Sequence, residues 1–162
     1  MREILTDFAT MPTPYGKFKA AAYRDKDGSE HLVVIKGEVR GKRGVVTRIH
    51  SECLTGNVFG SRRCDCDRQL RYAMKRIAAS PCGLILYLRQ EGRGHGLTDK
   101  LRAYVLQDQG LDTVEADQKL GLPLDTRDYR VATRILKQLK EVSDRILTNN
   151  PKKITGLASA NL

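Results

Sequence analysis

The residues best suited to chemistry in this 162-residue chain are three cysteines crowded into one polar stretch. Cys64 and Cys66 enclose a single residue, Asp65, and Cys53 lies eleven positions upstream. So tight a pair strains a disulfide, yet both thiolates can reach one metal ion if the backbone turns between them. Three thiolates leave a tetrahedral zinc one ligand short, and a zinc with its fourth position open to water is the catalytic pattern. His50, just ahead of Cys53, could close the sphere instead and make the site structural. The plainer alternative is a set of ordinary buried thiols. Cys82 sits at a helix end before an apolar run and reads as a packed thiol rather than a ligand.

Two further segments offer charge to an anion. Glu91-Gly92-Arg93-Gly94-His95-Gly96 follows a predicted strand; its glycines let backbone approach a ligand, and Arg93 can fork onto phosphate. The spacing is neither that of a dinucleotide fingerprint nor that of a Walker loop, so a plain tight loop is an equal reading. His95, alone in that loop, reads as a surface residue. Asp125-Thr126-Arg127-Asp128 stands just ahead of a helical pattern, where unpaired N–H groups favour anions. A capping run with Arg127 solvated is the alternative there. Tyr104 falls on the apolar side of its helix, where core packing is the default.

The elements that must position these residues follow from periodicity. Lys17–Arg24, a turn at Asp25-Lys26-Asp27-Gly28 and His31–Lys36 form a hairpin signature, and Gly44–Ile49 is a further strand. Ser51–Asp65 is too irregular for either period. From Asp67 the pattern turns helical, with Leu70, Ala73, Met74, Ile77 and Ala78 on one face. Gly83–Arg89 is a short buried strand. A helix from about Thr98 carries Leu97, Leu101, Tyr104 and Val105 on a face, and Val131, Ala132, Ile135, Leu136 and Leu139 mark another. Arg145–Thr148 is a short strand, and Asn149-Asn150-Pro151 signals a turn and helix start. Strands first, then strands mixed with helices, predict an α+β fold: a mixed β-sheet flanked by helices, in a single compact domain over 1–162.

Composition narrows the setting. Hydrophobic residues make up 40%, enough for a core without disulfides, and no apolar run approaches a membrane span. The N-terminus lacks a signal peptide's basic-then-apolar order, which predicts a cytoplasmic protein with no membrane partner and reduced thiols. The net charge of +10 is spread along the chain and suits polyanions or an ordinary basic surface equally.

Taken together, the segments resemble GTP cyclohydrolase II, the enzyme family that begins riboflavin synthesis from GTP. The resemblance rests on RIHSECLTG at 48–56, SRRCDC at 61–66, LRQEGRGHGL at 88–97, RAYVLQDQGLDTVEA at 102–116, DTRDY at 125–129 and LTNNPKK at 147–153. It implies Cys53, Cys64 and Cys66 as ligands of one zinc per chain. It implies GTP contacts from Arg48, Ile49, His50, Ser51, Glu52, Gln69, Glu91, Gly92, Arg93, Thr113, Thr148 and Lys153. Asp125 matches the family's proposed proton acceptor, Arg127 its proposed nucleophile toward the α-phosphate, and Tyr104 an active-site tyrosine. A guanidinium stays protonated at ordinary pH, so an electrostatic clamp is the physically easier role for Arg127.

The implied reaction opens the imidazole ring of guanine and releases formate and, separately, pyrophosphate, with Mg²⁺ accompanying the triphosphate. The resemblance also implies a homodimer. Three departures stand out: Asp67 replaces a usual glycine, His95 replaces a usual aliphatic residue, and the chain stops at Leu162 without the family's further C-terminal segment. Two alternatives remain, a paralogue that performs ring opening only or serves another pyrimidine-derived pathway, and a zinc-stabilised nucleic-acid-binding module. The module leaves residues 91–93 and 125–127 without a purpose, so nucleic acid is not the expected partner.

Overall fold

The structure, a computed structural model, describes residues 2–140, 144–148 and 150. Its centre is the hairpin of β3 (Gly16–Arg24) and β4 (Glu30–Lys36), paired antiparallel from Lys19–Ile35 to Arg24–Glu30. Asp25 holds the turn, its Oδ1 accepting the amides of Asp27 and Ser29. Two short strands share the outer edge of β3: β1 (Ile4–Leu5) at its end and β2 (Ala9–Thr13) along its start. Pro12 in β2 lacks a ladder donor, which confines such a strand to an edge and hid it from the period-2 pattern.

On the other side β4 pairs antiparallel with β6 (Gly83–Leu88), which lies parallel to β5 (Val45–Ser51). Beyond β5 lies β7 (Asp144–Ile146), again parallel. The seven-stranded sheet is therefore mixed, in the order β1-β3-β4-β6-β5-β7 with β2 beside β3.

Alternation along the strands sends side chains to two faces. On one, Val33, Val45, Ile49, Leu84, Leu86 and Leu88 meet α5 (Arg130–Leu139) through Val131, Ala132, Ile135, Leu136 and Leu139. On the other, Phe18, Val34 and Ile85 meet α2 (Cys66–Ala78) through Ile77, Leu70 and Met74. Helices thus flank the sheet on both sides, as the apolar faces of these two helices predict.

Parallel neighbours require crossover connections, and these build the site. α1 (Leu54–Asn57) and α2 link β5 to β6; α3 (Gly96–Asp108), α4 (Thr113–Lys119) and α5 link β6 to β7. Consequently β5, β6 and β7 all point the same way, and their carboxyl ends release residues 51–53, 90–93 and 147–148 together. Ligands of open sheets with parallel strands bind at such ends.

The single helical turn of α1 inside Ser51–Asp65 and the whole of α4 go beyond the sequence reading. The predicted helix start at Asn149-Asn150-Pro151 lies largely outside the described residues. Among the described residues, no helix is long and apolar enough to cross a membrane.

Candidate metal centre and nucleotide cleft

Cys53 leaves the end of β5 and leads into α1; Cys64 and Cys66 stand at the start of α2. α1 and α2 pack together, and this folds the cysteines onto one point. Their Sγ atoms lie within 4.8 Å of one another, with Cys53 and Cys64 3.5 Å apart. Among the described residues this is the only cluster of His, Cys, Asp and Glu able to hold a metal.

Gly56 keeps the space open, because a Cβ there would stand 2.9 Å from the Cys64 sulfur and 3.0 Å from that of Cys53. The thiols differ in their surroundings. Burial pushes the Cys66 thiol far up, and the neighbouring Cys53 and Cys64 add to that. Burial also raises the Cys53 thiol, but hydrogen bonds from Lys100 and the Gly56 backbone bring it below the usual thiol value. Coordination to a divalent ion would deprotonate such thiols and offset their charge, so the three sulfurs suit a metal.

His50 does not close the sphere. It points to the α2 face of β5 as Arg48 does, stacks on Tyr87 at 5.5 Å between ring centroids, and bonds Asn57 Oδ1 through Nε2 at 3.3 Å. Arg48 is almost fully buried and donates to the Leu147 carbonyl at 2.9 Å, to His50 Nδ1 at 3.4 Å and to Gln69 Oε1. An arginine donor at Nδ1 favours the tautomer with its proton on Nε2. Burial lowers the Arg48 pKa, opposed by Cys66 and Asp65.

Above the sulfurs opens a cleft of about 400 Å³, within the range of small-molecule sites. Arg48, His50, Ser51, Glu52 and Gln69 reach its wall from β5 and α2. Glu91, Gly92 and Arg93 reach it from the glycine loop, Tyr104 from α3, Thr113 from α4, and Arg127 from the segment before α5. Ile49 does not: strand alternation buries its side chain completely in the α5-side core, leaving only backbone for a ligand. Thr148 stands off the wall, bonded to Asn150, and Lys153 lies outside the described residues.

The charged groups are already paired. Glu91 Oε2 accepts the Leu54 amide at 2.6 Å, while Oε1 accepts the Gly92 amide and the Lys100 ammonium, each at 2.8 Å. Arg93 has a left-handed backbone, φ 60°, and binds Asp117 of α4 at 3.0 Å. Arg127 makes a two-pronged pair with Asp125, Nε to Oδ1 at 2.9 Å and Nη2 to Oδ2 at 2.7 Å. That carboxylate raises the Arg127 pKa further, so the group stays cationic. Asp125 thus stands behind Arg127 rather than on the wall itself.

Tyr104 is half-buried on the cleft, not packed in the core, with the Arg63 guanidinium 4.7 Å from its ring centroid. Arg63 is held in turn by Asp108. Of the departures, Asp67 pairs with Arg71 one turn on, and His95 contacts the Pro123 carbonyl at 2.7 Å. Cys82 packs against the α5-side core, away from the metal cluster.

Sequence reasoning overlooked Lys100, Arg63 and Asp117. Only the first carried a usable signal, a lysine facing inward one turn before Tyr104 on the same helix.

Comparison with known proteins adds a second line. A family profile described as GTP cyclohydrolase II matches residues 4–162. The chain is 53% identical over 154 residues to "Riboflavin biosynthesis protein RibBA" of Bacillus mycoides (strain KBAB4), covering 94% of this chain and 39% of that protein. It is 54% identical over 154 residues to the protein of the same name from Bacillus cytotoxicus, with the same coverage. The chain therefore spans about two fifths of the length of these curated relatives. A solved structure, a two-domain 3,4-dihydroxy-2-butanone 4-phosphate synthase, RibBX, from A. baumannii, superposes with a TM-score of 0.48 at 19% identity. That match covers 95% of this chain and 37% of the other, and is too loose to argue from.

Proposed function

The chain belongs to the GTP cyclohydrolase II family, and from that premise we propose that it hydrolyses GTP at a zinc centre in riboflavin biosynthesis. The product is 2,5-diamino-6-(5-phosphoribosylamino)pyrimidin-4(3H)-one, with formate and pyrophosphate released. One observation carries the reading: three cysteine sulfurs converge beside a cleft whose walls also present a fixed cation, Arg127, and a tyrosine, Tyr104.

In this reading Cys53, Cys64 and Cys66 would hold zinc, which when bound would supply Lewis acidity for hydrolysis at guanine C8. Tyr104 offers its hydroxyl to orient the purine or a second water. Arg48 and Gln69, locked together on the α2 side, form a rigid polar wall for the nucleotide. Arg127 presents a planar, permanently charged fork to the α-phosphate, where charge develops as pyrophosphate leaves. When phosphate takes that fork, the Asp125 carboxylate is released and can accept a proton. Magnesium enters with the triphosphate. The protein acts in the cytoplasm as a homodimer, for which the exposed Leu101 and Val105 of α3 offer apolar surface.

The test is direct. Zinc-loaded protein incubated with GTP and Mg²⁺ should yield the pyrimidine, formate and pyrophosphate, identified by mass spectrometry and enzymatic assay. Retention of the formyl group would restrict the activity to ring opening. Unchanged GTP would remove the reading.

A further inference from the structure

Lys100 occupies a place that neither the family motifs nor the charge pattern single out. It lies on α3, and its ammonium donates to Cys53 Sγ at 3.1 Å and to Glu91 Oε1 at 2.8 Å. Its side chain is 11% exposed and that of Glu91 9%. Among the described residues it is the cation hydrogen-bonded to a sulfur of the cluster. Glu91 completes a closed loop, because its other oxygen accepts the amide of Leu54, the residue that follows Cys53.

The approach of α3 is itself arranged. Gly92 takes φ 58°, and a Cβ there would meet Lys100 Cβ at 3.1 Å. A side chain at position 92 would be strained by that backbone and would crowd the root of the lysine.

We propose that Lys100 is a positioning residue of the metal centre, which fixes the Cys53 sulfur and offsets the surplus negative charge of the thiolates. Three thiolates around a divalent ion leave a net negative charge in a partly buried place, and a neighbouring cation stabilises it. An ammonium donates and never accepts, so it gives the sulfur a hydrogen bond and fixes its direction. It also draws electron density from the sulfur, which leaves the bound metal a stronger Lewis acid. A mere brace between α3 and the glycine loop would use only the Glu91 contact. This inference rests on the three cysteines being metal ligands.

Zinc affinity is measured by competition with a chromogenic chelator, and the sulfur-to-metal charge-transfer band is read after reconstitution with Co²⁺. Lys100→Met keeps length and loses charge, while Glu91 retains its two backbone donors. Zinc affinity should fall about 10- to 100-fold, as for other groups that orient metal ligands. The cobalt band should move to longer wavelength, because a sulfur without its hydrogen bond gives up charge more easily. Lys100→Arg should restore part of both. If Lys100→Met does not fold, Lys100→Gln decides by the same two readouts.

A Met variant with wild-type affinity and band overturns the proposal. Weakened affinity with an unmoved band also overturns it, leaving a brace through Glu91. A wild-type chain that takes up neither zinc nor cobalt overturns the metal reading itself, and the role of Lys100 with it.

Discussion

α5 and α3 are helices of similar length with opposite use of their apolar residues. α5 buries Val131, Ala132, Ile135, Leu136 and Leu139 against the sheet. α3 buries only Ala103, turns Lys100, Tyr104 and Gln107 toward the cleft, and leaves Leu101 45% and Val105 55% exposed. One helix contributes stability through area removed from water. The other contributes little to the core and holds polar groups at fixed distances. Periodicity identifies both as helices, but a stripe of apolar residues says nothing about which stripe faces inward when the inward partner is a ligand site.

The sharpest way to break this division is at the metal. Cys64→Ser should lose bound zinc and ring opening together, with metal content read by elemental analysis. Cys82→Ser, beside the α5-side core, should keep both; loss of zinc there would refute the ligand set.

Ile135→Ala tests the other helix. A fully buried isoleucine removed from a core should cost about 2–5 kcal/mol in denaturant unfolding. Metal content and turnover per folded molecule should not change. Arg127→Ala should do the reverse, lowering turnover about 10²- to 10³-fold, the usual loss for one electrostatic donor, with little change in unfolding. A lysine should rescue only part, since it cannot fork. Full activity of Arg127→Ala would remove the residue from the mechanism.

Tyr104→Phe is the mildest. It keeps the ring under Arg63 and removes one hydroxyl, so melting should barely move. Formate release should slow about tenfold, the kinetic equivalent of one hydrogen bond, and pyrophosphate release should slow less. Equal, unchanged rates would make Tyr104 a wall residue only.

What the sequence made legible follows the same division. The hairpin, β5, β6 and the apolar faces of α2 and α5 were readable because burial imposes a period. The cysteine cluster was readable because paired thiols in a polar stretch are rare. α4 escaped although Asp112 and Glu115 form a capping box at its start, because its one apolar turn gives no face. The failure of Ile49 to reach the cleft was readable in principle, since Arg48 and His50 must share a face that Ile49 does not. The Arg127–Asp125 fork, the Glu91–Lys100 contact and the Arg63 stack depend on chain crossings that no local pattern contains.

The carbonyl of Arg93 accepts both the amide and the hydroxyl of Thr126, at 3.0 and 3.1 Å. Gln90 Oε1 takes the amide of Asp128 at 3.2 Å beside it. These bonds rivet the glycine loop to the strip that carries Arg127, so the two travel as one piece although some thirty residues separate them. Across the cleft, Arg63 on the stretch before α2 pairs with Asp108 of α3 through half-exposed side chains. That tie and the bonds of the Arg93 and Gln90 side share no residue, so a change in one leaves the hydrogen bonds of the other in place.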